Sequence, residues 1–265
     1  MDKASYIDAH IHLDQYSDDE LAGMLREMPE NGIEGLVAVS TDGPSCRRTQ
    51  VLHADYPRLI RPAYGFHPEQ PLLPEEEQDA LLSWMKEQKG TMAAIGEVGL
   101  PYYTRRAKWA QENEGGLDLQ PYVEWLESCL RLAAEVNKPV VLHAVYEDAE
   151  MVCDLLEKHN VAKAHFHWFK GSDKTTERMI RNGYYVSVTP DIVYEEEIWR
   201  LAARYPLEQM MVETDGPWPF EGPFQGKRTH PWMLAAVVDK LARLKRVDSR
   251  ECAQLVLENT RSFYG

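Results

Sequence analysis

No run in this chain of 265 residues approaches the ~20 consecutive apolar positions that a membrane-spanning helix needs, so no membrane partner is expected. Cysteine is scarce. The four present, Cys46, Cys129, Cys153 and Cys252, are scattered and form no Cys-x-x-Cys pair. That speaks against a disulfide framework or a cysteine-zinc site and fits a reducing cytoplasm. Each cysteine reads as small core filler. Positive charge is also short: 29 Lys and Arg face 43 Asp and Glu, a net charge of −14. A body of that sign is not built to wrap a nucleic-acid backbone without regard to sequence, although it leaves room for a local basic site. Repeats, low-complexity tracts and a Pro-, Gly- or Ser-rich linker are all lacking, so residues 1–265 read as one domain. MDKASY leads straight into the first strand candidate, and no secretory signal is expected.

What is present is a regular alternation. Short apolar segments occur at SYIDAHIH (5–12), 35–40, 60–66, 92–98, 139–144, 163–169, 184–189 and 210–215. Amphipathic stretches separate several of them. In DELAGMLREMPENG, Leu21, Met24, Leu25 and Met28 fall at helical spacing and PENG stops the run. VEWLESCLRLAAEVNK, EDAEMVCDLLEKHN and EEEIWRLAARYP read the same way, and the last forty residues give two closing helices. The acidic runs PEEEQD (74–79) and EEE (195–197) read as solvated helix starts. Strands alternating with helices imply a parallel sheet covered on both faces. Length and a hydrophobic content of 44% suit a (β/α)8 TIM barrel, with an open doubly wound sheet as the alternative.

Polar residues decide between them. In YIDAHIHLDQY, period-two alternation puts Asp8, His10 and His12 on one face and Ile7, Ala9, Ile11 and Leu13 on the other. A lone histidine is usually a core residue bonded to a carbonyl. His-x-His at a strand end, beside a carboxylate, is costly to bury without a bound partner, and neutral imidazole is the commonest metal ligand. The pattern recurs at the C-terminal ends of later strands: His67 in GFHPE, Glu97 in IGEVG, His143 in VVLHA, His165 and His167 in AHFHWF, Glu213 and Asp215 in VETDGP. Barrel active sites are built at that end from several strands. Mixed imidazole and carboxylate suit Zn, Mn, Fe or Ni, and carboxylate-rich shells admit Mg. Two such ions side by side need a bridging carboxylate, and Glu97 lies mid-set. Asp215 is suited to bind metal and take a proton from an attacking water. Of His165 and His167 only one is expected to touch a metal, the other standing behind it with Asp8 and Glu213. His53 and His159 are expected on the surface.

The motifs IDAHIHLD, GFHPE, IGEVGL, PVVLHA, FHWFKGS and VETDGP, in this order, resemble the TatD-type metal-dependent deoxyribonucleases of the amidohydrolase-like barrels, over most of the chain from about residue 5 to about residue 235. The resemblance implies two divalent metal ions: His10, His12 and Asp215 on one, His143 and His167 on the second, Glu97 bridging. It implies that His165 is not a ligand and that His67 lies near the substrate phosphate. The surroundings depart from the family pattern. Pro101 stands where an Asp is usual after the fourth strand, Ala144-Val145 where Ser-Arg is usual after the fifth, and Arg228-Thr229-His230-Pro231 where Arg-Asn-Glu-Pro is usual in the last loop.

Cations gather in the same stretches: Arg105, Arg106 and Lys108 in the loop after the fourth strand, Lys170 after the sixth, Lys227 and Arg228 after the eighth. Aromatics interleave with them, among them Tyr102, Tyr103, Trp109, Trp168, Phe169, Trp218 and Phe224. Stacking platforms beside cations suit a single-stranded end; packed loops with solvated cations are the plainer reading. The expectation is a metal-dependent phosphodiesterase, a 3′-exonuclease acting on DNA or a nucleotide, with Arg105, Arg106, Lys170, Trp168 and Arg228 against the substrate, working as a monomer. A hydrolase of a small ester, lactone or amide, and a non-catalytic barrel subunit of a larger assembly, are the rivals.

Overall fold

The computed structural model describes residues 4–111 and 116–265. Strands and helices alternate through them: β1 (Tyr6–Ile11), α1 (Asp18–Glu27), β2 (Ile33–Val39), α2 (Gly43–Asp55), β3 (Ile60–Tyr64), α3 (Glu75–Glu87), β4 (Ala94–Gly99), α4 (Tyr102–Gln111), α5 (Gln120–Val136), β5 (Val140–His143), α6 (Glu147–Lys158), β6 (Ala164–Phe166), α7 (Asp173–Arg181), β7 (Tyr185–Val188), α8 (Glu196–Arg204), β8 (Met210–Val212), α9 (Leu234–Lys245) and α10 (Ser249–Tyr264). The eight strands form one parallel sheet in chain order. Its two ends meet: His12 N–H donates to Gly216 O at 2.8 Å, and Asp215 N–H to His10 O at 2.9 Å. The fold is therefore a (β/α)8 barrel. Among the described residues no helix is long and apolar enough to cross a membrane.

Local chemistry sets the element ends. Ser17 and Glu20 form a reciprocal capping box at the start of α1. Asn137, in the left-handed conformation, ends α5, and Pro139 prevents its continuation. The apolar faces of the helices pack on the outside of the strands in one large buried cluster. A second cluster joins Ile7, Val37, Ala63, Ala94, Val141 and Met211 of the strands to Leu257, Phe263 and Tyr264 of α10. On each strand these residues precede the polar ones, so α10 closes the N-terminal end of the barrel and leaves the C-terminal end to the polar side chains.

Several expectations change. Alternation along β1 is broken: Ile7 and Ala9 share the strand-and-α10 cluster while Ile11 packs with the helices. The cause is a shift of the β1–β2 register between Asp8 and Ile11. The break falls before Ile11, so His10 and His12 still share one face across it, while Asp8, which the same alternation placed with them, turns to Thr214 instead. The stretch carrying Arg105, Arg106 and Lys108 is not a loop but helix α4. Strands β6 and β8 have only three residues each, so His167, Glu213 and Asp215 lie in the irregular segments that follow them.

Candidate metal centre

The strand ends bring His10, His12, His67, Glu97, His143, His167 and Asp215 around one point. Glu97 is fully buried and divides its two oxygens. Oε2 stands 3.2 Å from His10 Nε2 and 3.5 Å from His12 Nε2; each of these nitrogens is also 3.4 Å from Asp215 Oδ1. Oε1 stands 2.7 Å from His167 Nε2, 3.0 Å from His143 Nδ1 and 3.2 Å from His67 Nε2. Donor atoms of His10, His12 and Glu97, and of His67, Glu97 and His143, gather tightly enough to hold a cation, as do those of His10, His167 and Glu213.

Close approach of backbones makes this possible. A Cβ on Gly99 would overlap the carbonyl of His143, and one on Gly65 would lie 2.6 Å from the Gly96 carbonyl carbon. Both glycines let the strands bearing His67, Glu97 and His143 come together.

The donor set fits divalent cations. His10 Nε2, Glu97 Oε2 and Asp215 Oδ1 are buried and have no hydrogen-bond partner, although they face one another. Such groups are stable in a dry interior only with a neutralising partner, and imidazole with carboxylate is the ligand chemistry of zinc and its neighbours. Burial raises the Glu97 carboxyl, but His167, His67 and His10 overcome it and hold it well below the usual carboxylate range. Burial likewise raises Asp215, and His12 and His10 bring it below its ordinary value. Both carboxylates are therefore ionised, as metal ligands must be. Burial lowers His10 and His67, whereas hydrogen bonds donated to carboxylates outweigh burial at His12 and His143 and raise them.

Behind this set runs a buried polar chain. Tyr264 Oη is 2.6 Å from His165 Nδ1; His165 Nε2 is 2.6 Å from Ser187 Oγ; Ser187 donates to Glu213 Oε2 at 2.6 Å. Glu213 Oε1 accepts the Trp168 N–H at 2.9 Å and stands 3.5 Å from His167 Nδ1. His165 is thus occupied by Tyr264 and Ser187, away from Glu97. Asp8 accepts from Thr214 N–H at 3.0 Å, from the Thr214 hydroxyl and from His10 N–H at 3.2 Å, joining β1 to the segment after β8. Burial pushes Asp8 up to about 8 against those bonds.

The expected substrate residues scatter. The Arg105 guanidinium pairs with buried Asp148 and lies 5.9 Å from the Tyr102 ring centre. Arg106 lies over exposed Trp109. Arg228 pairs with Glu20 at 3.0 Å and covers Tyr16. Lys170 lies 5.2 Å from the Trp168 ring and 3.9 Å from Asp191, which also accepts from Trp168 Nε1 at 2.6 Å. Trp218, 56% exposed, meets Trp168 edge-on, and Tyr103, 49% exposed, lies 6.0 Å from the His143 ring. His53 and His159 are half-buried rather than free on the surface: His53 Nδ1 is 2.7 Å from Ile60 O, and His159 Nε2 is 3.2 Å from Glu127.

Sequence reasoning missed Glu69. It sits two residues after His67, inside GFHPE, and lies 3.2 Å from His143 Nε2. Ser187 and Tyr264 were also missed; the polar residue inside the apolar stretch YYVSVT was the available signal for the first.

A family model described as TatD related DNase matches residues 7–265. The chain belongs to the TatD family. Among its relatives, an uncharacterised metal-dependent hydrolase of Haemophilus influenzae is 39% identical over 257 residues, covering 97% of this chain and 98% of that one. Human deoxyribonuclease TATDN3 is 26% identical, covering 97% of this chain and 94% of the relative. The crystal structure of the TatD homologue YjjV from Escherichia coli superposes with a TM-score of 0.83 at 26% identity, covering 98% of each chain.

Proposed function

We propose that this TatD-family chain is a divalent-metal-dependent hydrolase that cleaves phosphodiester bonds at the end of a single DNA strand. The observation that carries the reading is Glu97, whose two oxygens each face a separate group of histidines. In this reading His10, His12 and Asp215 would hold one cation, His143 and His167 would hold a second, and Glu97 would serve both. Divalent cations bound there would activate a water and neutralise phosphate oxygens. Asp215, held ionised, takes the proton of the attacking water. His67, partly exposed at the rim, hydrogen-bonds a phosphate oxygen. Trp218 and Tyr103 offer faces on which a terminal base can stack, each worth ~1–3 kcal/mol. A relative named a deoxyribonuclease supports DNA as substrate. Two cations of the rim are spent within the protein, Arg105 on Asp148 and Arg228 on Glu20, which favours a strand end over a long duplex.

The test is release of mononucleotides from 3′-labelled and 5′-labelled single-stranded DNA with Mg²⁺, Mn²⁺ or Zn²⁺, beside Glu97→Ala. Metal-dependent release from the 3′ end, lost in the variant, is expected. No release by the metal-loaded wild type would sink the DNA assignment and turn the search to small esters and lactones.

A further inference from the structure

We infer that Glu69 is a positioning residue that fixes the ring tautomer of His143 and couples that ring to the first turn of α4. The inference rests on the metal-dependent reading above.

Glu69 is held from behind by a helix start. Oε1 accepts the Tyr103 N–H at 2.8 Å and Oε2 the Thr104 N–H at 2.6 Å, while the Thr104 hydroxyl reaches the Glu69 carbonyl at 3.4 Å. The first amides of a helix have no partner within it, and its dipole favours a carboxylate there. The group is therefore ionised and aimed.

Its Oε1 faces His143 Nε2 at 3.2 Å. An ionised carboxylate only accepts, so Nε2 carries the proton, and a neutral imidazole has one proton to give. His143 Nδ1 is then a bare lone pair, 3.0 Å from Glu97 Oε1 and 3.5 Å from His167 Nε2. Without Glu69 the opposite tautomer, with Nδ1–H donating to Glu97, would satisfy the ring equally well. It would also put a proton where a cation needs an electron pair. Carboxylates behind metal-bound histidines act in this way. The same carboxylate holds the backbone of Tyr103, so an aromatic wall of the cleft and the histidine beneath it are fixed by one group.

Calorimetric titration of the metal-free protein with Mn²⁺ or Zn²⁺ tests this. Wild type is expected to take up two equivalents. Glu69→Gln keeps the volume but turns an NH₂ toward a backbone N–H; it is expected to weaken one equivalent by roughly 10–100-fold and leave the other unchanged. Glu69→Asp, which keeps the charge, is expected to recover part of that loss. ¹⁵N NMR of the metal-free ring at about pH 9, where imidazole is neutral, is expected to give His143 Nε2–H in the wild type and a shift toward Nδ1–H in Glu69→Ala. Unchanged metal constants and an unchanged tautomer, with only a lower Tm, would overturn the inference and leave Glu69 a loop clamp. Failure of the wild type to bind metal would overturn the proposed function instead, and the tautomer of the metal-free ring would still decide the role of Glu69.

Discussion

At Glu97 five imidazole nitrogens, one each from His10, His12, His67, His143 and His167, lie within 3.5 Å of two oxygens. Protons alone do not satisfy such a set, because Glu97 Oε2 and His10 Nε2 remain without partners. Replacing the carboxylate by an amide removes the charge that a bridge supplies. Glu97→Gln is expected to lose bound metal and to reduce turnover by roughly 10³-fold or more; metal content measured on the purified variant checks the first half. A second residue gives a pH signature outside this cluster. Burial pushes Asp148 on α6 up to about 6 from 3.8, with Glu147 and Glu69 adding to the rise and Arg105 opposing it. The folded state thus binds this proton more tightly than the unfolded chain. Its contribution to stability is complete below about pH 4 and is lost as pH rises through about 6. Asp148→Asn lacks that loss. The difference in stability, variant minus wild type, is expected to grow by up to about 3 kcal/mol between pH 4 and 7, and thermal melts across that range read it directly.

Among the elements, β4 and β5 approach more closely than side chains allow. Gly99→Ala forces a methyl into the His143 carbonyl, and backbone cannot yield as a flexible side chain can. A loss of about 1–3 kcal/mol is expected, seen as a lower Tm together with weaker metal binding, since the same displacement moves His143. The eight strands were legible because each is a short apolar run, and most of the cluster was legible because six of those runs end in His, Glu or Asp. Helix α4 was not. Its residues YYTRRAKWAQ offer almost no apolar stripe, and Trp109 at its far end is exposed. Glu69 was hidden because its partners are amides delivered by α4 and a ring delivered by β5, which no local spacing encodes. Tyr264 was hidden for the same reason, standing 99 positions from His165. The Tyr264 hydroxyl has a measurable role: Tyr264→Phe leaves His165 Nδ1 without its partner in a dry interior and is expected to cost about 1–3 kcal/mol, read by chemical denaturation.

Taken whole, the molecule is an acidic body, at −14, and one side of its candidate metal centre, His10, His12 and Asp215, lies at the seam where the sheet closes on itself. Cations bound there bind the folded state alone, so they stabilise it by mass action, by about 2.7 kcal/mol at a free concentration one hundred times Kd. Treatment with a chelator is expected to lower Tm by a matching amount, and an unchanged Tm would argue that the cluster binds no ion.

The seam has a kinetic meaning as well. Thr214 bonds Asp8 across 206 positions of chain, and the backbone bonds of His12 and Asp215 lie beside it. Every other strand pairs with a neighbour in sequence, so this long-range join is made only once the intervening units are in place. A seat shared by the first and last strands is therefore expected to form late in folding and to open early. Metal seated there would act as a catch on the closed barrel: it would slow the opening of the native state and leave the rate of folding almost untouched. Stopped-flow refolding and unfolding, with and without chelator, would show the unfolding arm moving alone.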